Sequence, residues 1–239
     1  MRALTAAFDR FVDTEWTKQT PRAAALAAYL RDESWWLDDY ATFRVLHDRE
    51  GGRLWFEWPD DVKRRENDAL TRVRTGAWRD VLFYQYLQWI ASTQWAAARQ
   101  AAAEAGVALF GDLPFMVDLH SADVWANQDS FYLDRSVGVP PDAFSATGQD
   151  WGMPAYNWEA LQAGGFGWLR DRARRAAQLF DGYRVDHLVG FYRTYSRRRS
   201  DREDARFVPS EQPDQLRLGE RVLGVFRANG SDVIAEDLG

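Results

Sequence analysis

The sequence has no cysteine among its 239 residues. That excludes a disulfide framework and a thiolate zinc site, and it fits a reducing compartment. Only three histidines occur, His47, His120 and His187, and none has the paired spacing of metal ligands. Metal-assisted hydrolysis therefore finds no donor set, and neither a metal nor a cofactor is expected. A glycine-rich phosphate loop is also missing. The longest apolar run, Ala23 to Leu30, is too short for a bilayer, which takes about 20 residues. The N-terminus lacks the charged, apolar and small-residue order of a signal peptide, so the expected location is cytoplasmic, with no membrane partner. A net charge of −6 argues against nucleic acid as a partner. No internal repeat, low-complexity tract or charged linker breaks the chain.

What remains is a globular composition, 46% apolar with 12 tryptophans, enough for one barrel or two small lobes. Aromatic rings in such number suit a core, and they also suit the apolar faces of sugar rings. Residues 1–105 read as a helical subdomain. Leu4, Phe8, Phe11 and Val12 fall on one face, Trp36, Tyr40, Phe43 and His47 form a second stripe, and Trp78, Leu82, Tyr86, Trp89, Thr93 and Ala97 mark a long helix ending near Gly106. From Val107 the pattern changes. Val107 to Phe110 is a short continuous apolar run, the signature of a strand buried on both faces, and it leads into Asp112.

Two further short stretches read as buried strands that stop on a carboxylate, Gly182-Tyr-Arg-Val-Asp-His187 and Val233-Ile-Ala-Glu-Asp-Leu-Gly239. Between them, Pro213 to Asn229 has helical spacing, with Gly230 just past its end. A strand–helix–strand crossover makes its strands parallel, so Asp186 and Glu236 share one rim. Neighbouring strands lie roughly 4.8 Å apart, which allows carboxyl groups about 5 Å apart, the separation of retaining glycosidases. Each acid equally well caps a loop or pairs with an arginine. Residues 118–157 lack periodicity and are dense in Gly, Pro, Asp, Ser and aromatics, which reads as a long functional loop of the kind that lines a carbohydrate groove, or else as a rigid structural one. Phe166, Leu169, Ala173, Ala176 and Phe180 mark another helix, whose opposite face of Arg170, Arg172, Arg174 and Arg175 is assigned to solvent. Arg197 to Arg199 are assigned to a solvated loop, and the stretch from Ser196 to Pro209 to a surface loop or a short excursion at the rim. The fold class is α/β: part of a (β/α)8 TIM barrel with about three strands in residues 106–239, their acids at the carboxyl ends where such folds place active sites.

Six blocks across residues 111–239 carry a family resemblance: Gly111-Asp-Leu-Pro-Phe, Ser121-Ala-Asp-Val-Trp125, Gly138-Val-Pro-Pro-Asp142, Thr147-Gly-Gln-Asp-Trp-Gly152, Arg184-Val-Asp-His187 and Ala235-Glu-Asp-Leu-Gly239. Their order and wording resemble the 4-α-glucanotransferases, also called amylomaltases or disproportionating enzymes, of the α-amylase clan. The helical first half is compatible with that family's helical insertion and holds no comparably specific motif. The resemblance implies that Asp186 is the nucleophile and Glu236 the general acid/base. It implies that Arg184 holds the nucleophile's charge, that His187 contacts sugar hydroxyls, and that Asp112 lies at the floor of the donor subsite. Asp142 and Phe144 would lie on a loop covering the glucan, with Trp151 nearby. The implied partners are maltooligosaccharides and α-1,4-glucans, moved by double displacement through a covalent glycosyl-enzyme. Because Glu236 must be protonated for the first step, burial is expected to raise its pKa. Members of the family also carry a third catalytic acid, an Asp following a His at a later strand, and two strands ahead of this region. Neither is in the sequence, so the chain alone is expected to be an inactive internal piece of an enzyme, with unpaired sheet edges. An α-amylase-type hydrolase and a non-catalytic glucan-binding or interaction module are the competing readings.

Overall fold

In a computed structural model that describes residues 2–141, 143 and 145–236, the chain divides into two compact units, Met1–Ala97 and Ala98–Gly239. Helices build the first: α1 (Arg2–Phe11), α2 (Pro21–Asp32), α3 (Ser34–Arg49), α4 (Asp60–Lys63), α5 (Asn67–Gly76) and α6 (Trp78–Glu104), whose last turns belong to the second unit. Proline at the first position of α2 and the Thr20 side chain, which accepts from the Ala23 amide, set where that helix starts. Phe8, Phe11 and Val12 pack with Leu26, Leu82 and Tyr86 in one core. Ala41 and Val45 pack with Ala77, Val81 and Tyr84 in a second. Leu4 and Trp78, which share the periodicity of those stripes, are exposed.

The second unit holds two sheets. Its strands and helices run β1 (Phe110–Leu113), α7 (Ala122–Ala126), β2 (Phe131–Val139), β3 (Gln149–Tyr156), α8 (Trp158–Ala163), α9 (Gly167–Leu179), β4 (Gly182–Val185), β5 (Thr194–Arg198), β6 (Asp201–Val208), α10 (Gln212–Arg227) and β7 (Asp232–Ala235). Strands β1, β4 and β7 pair in parallel in that order, and α10 is the crossover from the end of the β4 segment to β7. The mixed α/β class is as the sequence indicates; among the described residues the parallel sheet is open. Tyr183 and Val185 are fully buried, and the Tyr183 hydroxyl donates to the carbonyl of Phe226 on α10 at 2.6 Å. On β1 only glycine fits at position 111, because a Cβ there would come within 2.1 Å of the Phe180 ring.

The first strand differs from its expected place. Val107 is exposed, and the ladder begins at Phe110, pairs with β4 through Asp112 and ends at Leu113. A carboxylate is tolerated inside β1 because Arg184 stands opposite it and donates to it at 2.6 Å.

Residues 118–157 are not one long loop, and 196–209 are not an irregular surface loop. They supply an antiparallel sheet in the order β3-β2-β5-β6. These strands escape a search for alternating apolar residues because polar groups inside the sheet satisfy one another. Arg135 is buried and donates to the Ser196 hydroxyl and carbonyl and to the carboxylate and carbonyl of Asp204. The arginines assigned to solvent are bonded too. Arg197 pairs with Asp150 at 2.7 Å, Arg198 with Asp204 at 3.4 Å, and Arg199 donates to the carbonyls of Leu133 and Gly152. Arg172 of α9 donates to the Pro114 carbonyl at 2.6 Å and to the Tyr156 hydroxyl at 3.2 Å, tying the turn after β1 to β3.

Aromatic rings fill the space beneath the parallel strands' carboxyl ends. Phe191 sits edge-on to Phe115 at 4.9 Å and to Phe226 at 5.0 Å, and it is fully buried. Phe191→Ala is expected to cost about 3–5 kcal/mol through lost burial and the cavity left behind. The midpoint of a urea unfolding curve followed by near-UV circular dichroism checks it; a loss under about 1 kcal/mol would mean the neighbouring rings close the gap.

Candidate active site

Strands β4 and β7 place the two acids. Val185 and Ala235 are register partners, and Asp186 and Glu236 are the next residue on each strand. The Asp186 amide still donates to the Leu113 carbonyl at 3.0 Å, so the backbone is held where the side chain begins. Side chains two residues apart on a strand share a face, so Asp112, Arg184 and Ile234 form one row, with Asp186 and Glu236 just beyond it.

One guanidinium organises the row. Nη2 of Arg184 donates to Asp186 Oδ1 and to Glu236 Oε1, each at 2.8 Å, so those two oxygens are no more than twice that distance apart. Nη1 donates to Asp112 Oδ1 at 2.6 Å. The second oxygen of Glu236 accepts from the His187 amide at 2.9 Å. His187 presents that amide from a left-handed backbone conformation, φ +43°, unfavourable for a residue with a side chain and typical of functional turns. A 3₁₀ turn, Leu188–Phe191, follows directly. The structure thus brings Asp112, Arg184, Asp186, His187 and Glu236 together, and both acids do pair with an arginine.

Electrostatics run against one expectation. The Arg184 hydrogen bond first, and the His187 amide second, hold the Glu236 carboxyl below its ordinary pKa; burial pushes upward and is outweighed. Its partners raise Arg184 in turn, led by the bond to Glu236. Burial lowers His187 against the opposing pull of Asp186 and Glu236, which keeps the imidazole neutral at neutral pH. Arg184→Met is expected to raise the Glu236 pKa, as read by a carboxyl-carbon NMR titration. An unmoved titration would place the cause elsewhere.

An aromatic wall stands beside the carboxylates. The Trp151 ring meets His187 edge-on at 5.2 Å, and Phe115 lies 5.4 Å from the same imidazole. Gly190 is required behind them, since a Cβ there would come within 2.5 Å of Phe115 and 2.7 Å of His187. Phe115 was not singled out as a wall residue from the sequence, although it ends the block that begins at Gly111. Asp142 and Phe144 lie outside the described residues. Among those described, no group of three or more His, Cys, Asp or Glu side chains could hold a metal ion, and no helix is long and apolar enough to cross a membrane.

A family model described as 4-alpha-glucanotransferase matches residues 1–239. The curated 4-alpha-glucanotransferase of Thermus thermophilus is 41% identical over 174 residues, covering 70% of this chain and 35% of that protein. That of Synechocystis is 36% identical over 226 residues, covering 89% of this chain and 43% of its relative. Among solved structures, amylomaltase from Streptococcus agalactiae in complex with acarbose superposes with a TM-score of 0.84 at 28% identity, over 100% of this chain and 48% of that one. The chain thus spans about two fifths of the length of the curated relatives it matches. With the family model matched along the whole sequence and the fold shared with a solved amylomaltase, this chain belongs to the 4-alpha-glucanotransferase family.

Proposed function

We propose that the carboxyl end of β4 and β7 is the bond-breaking centre of a 4-α-glucanotransferase acting on maltooligosaccharides, within what is part of a (β/α)8 barrel. The observation that carries the reading is the pair of carboxylates on one guanidinium nitrogen, each at 2.8 Å, a separation that suits retention and leaves no room for the intervening water of an inverting enzyme.

In the first half-reaction Asp186 attacks the anomeric carbon while Glu236 delivers a proton to the departing glycosidic oxygen. The carbon–oxygen bond to the leaving chain breaks as the bond to Asp186 forms, and Glu236 is left as a carboxylate. In the second, that carboxylate takes the proton of an acceptor sugar's hydroxyl, whose oxygen displaces Asp186. Charge is conserved at each step, and Glu236 returns protonated. Arg184 holds and aims Asp186 through the 2.8 Å hydrogen bond to its Oδ1. It also holds resting Glu236 ionised, so substrate binding must loosen that contact and desolvate the carboxyl before it serves as an acid. Asp112, His187 and Trp151 are the substrate-binding groups of this reading, and Asp142 and Phe144 belong to the same proposal on the strength of their sequence block.

Incubating the full-length protein with maltotriose tests it. Transfer gives glucose together with chains longer than the starting sugar, whereas a hydrolase gives only shorter ones and a binding module gives neither.

A further inference from the structure

We propose that Asp150 is a positioning residue: clamped by the antiparallel sheet, it fixes Trp151 against His187 and so sets the wall beside Glu236. The inference rests on the reading of Asp186 and Glu236 as the reacting pair, but nothing in that reading assigns Asp150, Ser136 or Arg197 a part.

The site draws on two sheets, and Trp151 is where the antiparallel one meets the rim of the parallel one. Its place on β3 is irregular. Gly138 pairs with Asp150, yet Ser136 pairs with Pro154, so two residues of β2 face four of β3. Such a bulge re-aims the side chains it carries and frees them from the ladder that would otherwise hold them. Asp150 replaces the lost ladder. Its Oδ1 accepts from the Ser136 hydroxyl on β2 and, at 3.0 Å, from the Gly152 amide; its Oδ2 accepts from Arg197 on β5 at 2.7 Å. Ser136 and Arg197 are register partners, so the carboxylate stitches β3 across β2 to β5. Arg199 secures the far side by donating to the Gly152 carbonyl at 2.9 Å. Trp151 lies between these fixed points, its indole N–H on Gln149 and its ring edge-on to His187.

The clamp is charged and lasting. Its three hydrogen bonds outweigh partial burial and hold Asp150 at a pKa of about 2. Folding stability from this carboxylate is present in full above its ordinary value of 3.8 and is lost as pH falls through about 2. The far end of the relay is chemical, because the His187 residue that Trp151 touches gives its amide to Glu236. A tilt of the indole reaches the acid/base group through one residue.

The test uses the full-length protein with ring-labelled histidine, the His187 signals being assigned by His187→Gln. Asp150→Asn keeps the side chain's shape and removes its charge. It is expected to move the His187 ring resonances in the same sense as Trp151→Leu, which removes the indole's ring current altogether, and to lower kcat/KM for maltotriose about 10- to 100-fold. Asp150→Asn and Arg197→Met together should cost little more than either alone, since both break one contact. Ser136→Ala, which leaves the ion pair in place, should give a smaller shift of the same sign and covers the case in which Asp150→Asn fails to fold. Unmoved His187 resonances in a folded Asp150→Asn or Ser136→Ala protein would overturn the proposal, as would additive losses in the double variant. A wild-type protein with no transfer activity would instead remove the functional reading, and the His187 resonances would still decide whether Asp150 positions Trp151.

Discussion

Asp186→Asn in the full-length protein is expected to lower kcat for transfer from maltotriose by about 10⁴-fold or more, with glucan still bound, because removal of a covalent nucleophile eliminates the two-step route itself. The substitution is close to isosteric, and it leaves Arg184 with its contacts to Asp112 and Glu236, so the loss reads chemistry rather than folding. A second substitution, which vacates the position, offers a positive result. With azide added and α-maltosyl fluoride as donor, Asp186→Gly should give a β-configured glycosyl azide, since a small anion entering the vacated side attacks once and inverts. A loss of tenfold or less would leave Asp186 as one more ligand of Arg184 and remove it from the reaction.

Glu236→Ala is expected to behave differently, and the contrast assigns the two roles. On maltotriose it should lose about 10²- to 10⁴-fold, the usual contribution of a general acid. With α-maltosyl fluoride, whose leaving group needs no proton, the first step should be largely recovered. The glycosyl-enzyme then waits for an acceptor that needs no base, and azide supplies one. Two displacements retain configuration, so this product should be the α-azide. A β-azide here, or full activity on maltotriose, would exchange or cancel the assignment. Because Arg184 and the His187 amide hold Glu236 ionised at rest, the truncation also releases two donors, and a modest change in glucan affinity should accompany it.

The parallel sheet was legible because its strands are short, apolar and punctuated by acids, and because Pro213 and Gly230 bracket a helix of ordinary periodicity; the observed α10, Gln212–Arg227, falls within a residue or two of that reading. The adjacency of Asp186 and Glu236 followed from topology, since a crossover of one helix sets two strands side by side. Arg184 as the centre of three carboxylates did not follow from spacing, which shows an arginine two residues from an aspartate and nothing of Asp112 or Glu236.

The antiparallel sheet was not legible, and the reason is physical. Alternation of apolar and polar residues reports a strand with one wet face, but β2, β5 and β6 are held by arginine, aspartate and serine side chains that satisfy one another inside the sheet, as at Arg135, Ser196 and Asp204. Charge density there reads as a solvated loop, and so does the arginine run that ends in Arg199; Arg198 and Arg199 are exposed, but they lie in or just after β5. The same blind spot hid Asp150, whose partners are 14 and 47 residues away in sequence. Glu236 was misjudged in direction for a related reason. A chemical role that calls for a raised pKa says nothing about which groups face the carboxyl before substrate arrives, and here an arginine and a backbone amide do.

In the proposed mechanism Asp186 forms a covalent bond to the sugar. The most direct measurement is to inactivate the full-length protein with a 5-fluoro-α-glycosyl fluoride, which slows both steps but the second more, and to locate the label by peptide mass spectrometry. The expected product is one sugar per chain, esterified to Asp186 and discharged by added maltose. A label on Glu236 or Asp112, or an active enzyme that takes no label and releases products of inverted configuration, would remove Asp186 as the nucleophile.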